Sequence, residues 1–579
     1  MKELLAAARG DIPSDLVIKG GRIANVLSLE YERADIAIKD GVIVGIGPDY
    51  EGIREVDADG TVLMPGMIDG HVHIESTMLA PATFAAAVLP LGTTTVLPDP
   101  HEIANTCGLP GIEFMWRESL RTPLDAFFAA PSCVPASAFE TPYQEIEVFQ
   151  TMACYNNGWC THMGEMMNYP GLIAGDDYVW SKIAASQDRV RTAHLPGVTG
   201  RDLCAYLISR CDADHESNFA EEAREKLRRG IWVMMREGAT EHNLEDLAEI
   251  LLEDEARFAR CMAVSDDLTA SHILYNGHMD HKVRLLIERG VRPLIAAAMV
   301  TINPANYFRM WDRGAIAPGR IADIVMVSSL EECRALKVWK RGNLVAEDGK
   351  PLFTTYAPMT ADLPGTSTVD MTVAADSLRV PAAPGRDIRV VEVLPGVVLS
   401  KERIMPPTER DGCVVSDPAR DILKLVVIEK NRGTGRRAIG FATGFGLKRG
   451  AIASSVAHDA HNFIAVGTDD ASIATAMNYL FESRGGLVAA EGDSLLATLP
   501  LPIGGLMSNL EPGPLSRAIT KMIQTAEEMG ATLPQPYMAL SFLSLSVIPE
   551  LKLTDRGYVD LAKGGIQELF VERTEESAK

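Results

Sequence analysis

The chain has 579 residues, too many for one compact core; at roughly 150 residues per domain it fits three or four domains, or one large barrel with smaller companions. Hydrophobic residues make up 47% and charged residues 23%, an ordinary globular usage that excludes disorder, collagen-like repeats and coiled coil as the main architecture. Fifty-five basic against 78 acidic residues leave a net charge of −23; such a surface repels phosphate backbones and anionic lipid, so no nucleic acid and no membrane are expected as partners, and a small neutral or cationic substrate remains.

Nine cysteines at irregular spacing form no disulfide framework, which points to reduced thiols and a cytoplasmic location. The N-terminus carries Glu3 where a signal peptide carries positive charge. The most apolar later run, Ala80 to Leu97, is broken by Pro81, Pro90 and Gly92 and falls short of the ~20 uninterrupted apolar residues of a spanning helix. A homo-oligomer, a dimer, is the expected assembly, although no residue pattern specifies it.

In chain order, residues 15–60 read as short strands punctuated by Gly, Asp and Lys, and the same texture returns at 315–350. Two β pieces so far apart form one sandwich if the segment between them is a complete insert. That predicts a first sandwich half over 1–64, an insert over 65–312, and a second half with linker over 313–386. Within the insert, a strand before His71 is followed by apolar strands at 93–98, 125–131, 158–165, 189–195, 212–216, 231–236 and 260–266. Helical patterns such as NFAEEAREKLRRG lie between them. Eight strands alternating with helices match a (β/α)8 barrel better than an open doubly wound sheet. The Pro-rich stretch 351–386 reads as linker. From 387 to 579 a separate α/β unit is predicted, with strands in DIRVVEVLPG, DILKLVVIEK and NFIAVGTDD and helices in SIATAMNYLFES and GPLSRAITKMIQTAEEMG.

The predicted strand ends carry the chemistry. His71 and His73 are two apart on a strand, so both imidazoles face one point, as a metal requires. Glu165, His194, His215 and Asp266 close four further strands. Each alone reads as a cap or a satisfied core residue; together they converge where such barrels place their active sites. Two His with an Asp suit one divalent ion, two further His suit a second, and a shared Glu165 suits a bridge between ions about 3.5–4 Å apart. Imidazole and carboxylate without thiolate admit Fe, Mn or Zn.

The runs MPGMIDGHVHIES and GAIAPGRIADIVMV, with those strand-end residues, resemble the metal-dependent amidohydrolase superfamily, which pairs a distorted (β/α)8 barrel with a flanking β-sandwich. LPDPHEIANTCG, HMGEMMNYPG, MVTINPANYF, GFGLKRGAIASSVAHDAHN and LSFLSLSVIPELKLTDRG narrow the resemblance to the bacterial two-metal adenine deaminase family, over nearly the whole chain. It implies hydrolysis of adenine to hypoxanthine and ammonia by a metal-activated hydroxide, with Mn(II) or Fe(II) expected and Zn(II) admissible. Carried over by position, His71, His73 and Asp266 hold one metal, His194 and His215 the other, and Glu165 bridges. Many superfamily members carry a carboxylated Lys at the fourth strand. No Lys lies near Glu165, so dihydropyrimidinase-like chemistry loses support. His73-Ile74-Glu75 matches the H-x-E of the cytidine-type zinc deaminases, but P-C-x-x-C is missing, which rejects that class.

Asp266 is the expected proton shuttle. A donor must also meet the ring nitrogen beside the attacked carbon, and Glu75, His101 and Glu102 are candidates; Glu102 equally suits a helix start. The run His458-Asp459-Ala460-His461-Asn462 reads either as a self-satisfied loop or as a lid or further metal site. Another amidohydrolase acting on a related cyclic amidine or amide, and an inactive scaffold of the same fold, are the competing functions.

Overall fold

The computed structural model of the chain describes residues 1–239, 241–360, 363–364, 371–395 and 398–573. Two sheets near the N-terminus pack on a common core of Leu16, Ile18, Ile36, Leu63, Ile324 and Trp339. One is built from residues 14–57; the other is seven-stranded and draws on both flanks of the insert, with Val62–Pro65 lying antiparallel to Ile324–Val327.

Between these flanks run parallel strands and helices. Met67–His73, Thr93–Pro98, Asp125–Ala126 and Asp266–Asp267 form a four-stranded parallel sheet. Phe128–Ala130, Cys160–Met166, Arg191–Ala193, Ala213–Asp214, Trp232–Arg236 and Cys261–Val264 form a six-stranded parallel sheet. The sequence predicted one eight-stranded set; two of its strands are each divided at a single residue. Phe127 interrupts 125–131, and Ser265 interrupts 260–266. The second break has a visible cause: the Ser265 N–H is taken by the Asp69 side chain at 3.1 Å, and Asp266 sits at φ +60°, outside the extended region.

The helices follow local chemistry. Ala220–Arg228 has Glu221 and Glu222 in its first turn and Lys226 and Arg228 in its last, matching the helix dipole at both ends. The stretch NLEDLAEILLEDEA, residues 243–256, which the sequence predicts as one helix, is divided into Leu244–Leu247 and Glu249–Glu253.

The C-terminal unit is a nine-stranded, largely antiparallel sheet containing Arg386–Val393, Leu423–Ile428 and Phe463–Gly467. Asp470–Ser483 packs on it, its first turn capped by Asp469, which accepts from the Ser472 N–H at 2.8 Å. Val373 and Leu378, inside the stretch read as linker, lie in that core. One apolar cluster runs from Phe84 and Ile103 in the parallel-strand region to Leu506, Met507 and Leu515 in the C-terminal unit, so the two regions share buried surface. Among the described residues no helix is long and apolar enough to cross a membrane. All nine cysteines are free.

Candidate metal centre

The alternation of Met67–His73 sets His71 and His73 side by side, ring centroids 4.8 Å apart. Their Nε2 atoms lie 3.4 and 3.1 Å from Asp266 Oδ1, and 3.8 and 3.3 Å from Glu165 Oε1. The other oxygen of Glu165 faces a different pair: Oε2 is 2.7 Å from His194 Nδ1 and 3.1 Å from His215 Nε2. Six residues at the ends of five strands thus meet in two donor sets, with one carboxylate addressing both. All six are buried.

The surroundings fix these groups. His73 Nδ1–H donates to the Asp99 carbonyl at 3.1 Å, which leaves the Nε2 lone pair aimed at the carboxylates. The Glu165 N–H donates to Asp99 Oδ2 at 2.9 Å, an approach that needs Gly164, since a Cβ there would collide with the same Asp99 carboxylate. Arg236 closes its own strand and donates to Asp266 Oδ2 at 2.9 Å and to Glu216. Below the His194 and His215 strand ends, the fully buried Lys226 amine donates to the Leu195 carbonyl, Asp214 and Glu222 at 2.7, 2.7 and 2.6 Å.

Burial alone would raise the pKa of Glu165; His215, His194 and His73 override it and hold the carboxylate well below its usual range. Asp266 is likewise held well down against burial, by His215, His71, His73 and Arg236. Carboxylates and imidazoles converging in a buried space need positive charge among them, carried by protonated imidazoles or by a bound cation. His71 Nε2 is buried with no hydrogen-bond partner among the described residues, and the groups His71–His73–Glu165, His71–His215–Asp266 and Glu165–His194–His215 each bring their ligand atoms within 4.8 Å. The donor set fits divalent cations.

Of the remaining predicted residues, His101, Glu102, His458 and Asp459 line the cavity and Glu75 and His461 lie behind its lining; Met167, Glu216, Arg236, Glu241, Asp267, Val398, Phe542, Leu545 and Ile548 complete it. His101 Nδ1 lies 3.5 Å from Asp99 Oδ1 and 3.6 Å from Glu165 Oε1. Glu102 does stand in the first turn of a helix, His101–Ser119, yet it is fully buried beside the cavity. Burial raises its pKa, and burial with the Glu102 charge raises that of Glu75 to about 8. Ser76 Oγ sits between Glu102 Oε1 at 2.7 Å and Asp267 Oδ1 at 2.5 Å. The C-terminal run reaches this point: His458 and Asp459 line the cavity, and Asp459 Oδ1 is 3.8 Å from His101 Nε2. Sequence reasoning missed Ser76, Asp99, Glu216, Arg236 and Asp267. For Arg236 a signal existed, a lone cation closing the apolar strand IWVMMR.

Two family models match the chain, the amidohydrolase family over residues 62–345 and the adenine deaminase C-terminal domain over 397–564. Curated relatives named adenine deaminase match nearly end to end. That of Desulfatibacillum aliphaticivorans is 41% identical over 98% of this chain and 99% of its own length. That of Oleidesulfovibrio alaskensis is 42% identical over 98% and 99%. A solved adenosine deaminase from Xanthomonas campestris with bound zinc is 16% identical, with a TM-score of 0.45, over 59% of this chain and 95% of its own. By its end-to-end relatives, the chain belongs to the adenine deaminase family of amidohydrolases.

Proposed function

We propose that the protein hydrolyses adenine to hypoxanthine and ammonia at a two-metal centre. The observation that carries this reading is the split of Glu165, one oxygen towards His71 and His73 and the other towards His194 and His215. In this reading His71, His73 and Asp266 hold one ion, His194 and His215 hold the second, and Glu165 is shared. Mn(II) or Fe(II) suits the imidazole and carboxylate donors, with Zn(II) admissible.

A divalent pair held there supplies Lewis acidity and makes hydroxide available at neutral pH. Asp266 Oδ1 accepts the proton released by water and returns it towards the departing amine nitrogen. Glu102 holds a proton at the ring nitrogen beside the attacked carbon, where negative charge develops. His101, between Asp99 and Asp459, fixes the polar wall on that side. Phe542, Leu545, Ile548 and Val398 of the C-terminal unit exclude water from the reacting carbon, and their closeness favours the free base over a nucleoside carrying ribose.

The proposal includes the architecture. The two parallel sheets are read as one distorted (β/α)8 barrel, because Asp125–Ala126 and Phe128–Ala130 are one chain run divided at Phe127, and Cys261–Val264 and Asp266–Asp267 are another divided at Ser265. The units are the sandwich halves 1–64 and 313–386, the barrel 65–312 and the C-terminal unit 387–579. Nine free cysteines support a cytoplasmic location.

Ammonia release from adenine, adenosine, guanine and cytosine by Mn-loaded protein, grown with an iron chelator, tests the reading. Rapid release from adenine alone is expected. Release only from another cyclic amidine or amide would replace it with the alternative amidohydrolase, and no release with no bound metal would leave a scaffold.

A further inference from the structure

Glu102 is held from one side only. Its Oε1 meets Ser76 Oγ, whereas Oε2 is buried and has no hydrogen-bond partner among the described residues. Facing that oxygen, at 3.8 Å, is His461 Nε2 of the C-terminal unit, itself fully buried and equally without a partner.

The other side of the His461 ring decides what this nitrogen can offer. The Ala457 N–H donates to His461 Nδ1 at 3.1 Å, so Nδ1 presents its lone pair and the neutral ring carries its proton on Nε2. Burial, with the charge of His458, keeps the ring neutral by lowering its pKa well below the usual value. His461 therefore points an N–H at Glu102. The same tautomer argues against a third cation among Glu102, His458 and His461, although their ligand atoms approach within 4.8 Å. Such an ion would need a lone pair on Nε2, and the one lone pair of a neutral imidazole is already taken by Ala457.

We propose that His461 is a positioning residue for Glu102: its Nε2–H fixes the carboxyl oxygen that Ser76 leaves free, and so sets the direction in which Glu102 meets the substrate ring. The assignment rests on the deaminase reading above. A separation of 3.8 Å is longer than a hydrogen bond, and contacts of this kind in substrate-free sites tighten in the substrate complex. The carboxyl can rotate about its last bond unless both oxygens are engaged, and misplacement of a proton-transferring group by about 1 Å costs roughly 10²-fold in rate. The arrangement also makes the C-terminal unit part of the reacting site, as Glu102 and His461 come from opposite ends of the chain.

The test is steady-state kinetics on adenine, with metal counting, for Mn-loaded parent, His461→Gln and His461→Phe. Gln places an amide N–H close to the position of imidazole Nε2–H; Phe keeps the ring volume and removes the donor. The expected result is a fall in kcat of roughly 10²-fold for His461→Phe, with KM within about threefold, the parent's metal content, and recovery of most of kcat in His461→Gln. Equal loss in both variants would assign His461 a merely structural role and overturn the proposal, as would a Phe variant within about twofold of the parent. If the Phe variant fails to fold, Gln alone decides, since a Gln variant as impaired as His461→Ala refutes donation. A third metal equivalent in the parent, lost in both variants, would make the cluster a cation site instead. A parent inactive on adenine removes the deaminase reading and this assignment with it, an outcome distinct from an active parent whose variants fail to separate.

Discussion

Lys226→Met tests how the charges beneath the site support it. Lys226 is fully buried, and its amine ties the Leu195 carbonyl, Asp214 and Glu222 together. Leu195 follows His194 and Asp214 precedes His215, so one ammonium holds the two strand ends that carry one imidazole pair. Met matches the stem in volume but leaves Asp214, also fully buried, with the Leu195 N–H at 2.8 Å and Ser217 Oγ at 3.2 Å as its hydrogen-bond partners among the described residues. Removing one partner of a buried pair costs about 3–5 kcal/mol, because the remaining charge is uncompensated. The cost falls at the His194 and His215 strand ends, so metal there should be lost first. At limiting Mn(II) the variant should retain one equivalent where the parent retains two, with turnover lost in step and far-ultraviolet circular dichroism unchanged. The pH dependence follows from the shifts. Asp214 is lowered in the folded protein, so its contribution is present above the unfolded carboxylate pKa and lost as pH falls through the folded value. Lys226 is raised, so its contribution is present below the unfolded amine pKa and lost as pH rises through the folded one. The pair therefore holds across the neutral range. In the variant, burial of Asp214 is unopposed by an amine, and acid unfolding should begin at higher pH. Adding Asp214→Leu should recover much of the stability, since apolar replacement of a whole buried pair is often near neutral. A single variant with two metals and the parent's thermal and acid midpoints would refute the reasoning.

Glu165→Gln should lower bound metal and abolish turnover, because a neutral amide cannot balance two cations; two retained ions with near-parental rate would remove the bridging role. Asp266→Asn should keep the fold and at least one metal yet lose roughly 10³-fold or more in kcat, and a variant within tenfold would place proton transfer elsewhere. Phe542→Ala removes an apolar wall of the cavity that also stacks on His458, centroids 5.0 Å apart at 22°; KM for adenine should rise by up to about tenfold, the scale of one lost aromatic contact, and an unchanged KM would show that Phe542 does not meet the substrate.

The sequence alone singled out the six candidate residues because their signal is local. The two-residue period of a strand places His71 beside His73, and Glu165, His194, His215 and Asp266 each stand at or next to the end of a short strand predicted at 158–165, 189–195, 212–216 or 260–266. The strand 93–98 and the helix within SIATAMNYLFES were legible for the same reason: hydrophobic periodicity and turn chemistry are readable over a few residues. Tertiary structure decided what depends on residues far apart in the chain. It determined that Glu165 turns one oxygen to each imidazole set, that Arg236 takes the second oxygen of Asp266, that Asp69 draws the Ser265 N–H out of the strand ladder, and that His461 faces Glu102. Such pairings carry no periodic signature. Each is selected by the cost of leaving a buried charge or N–H unpaired, and that cost exists only once folding has closed water out.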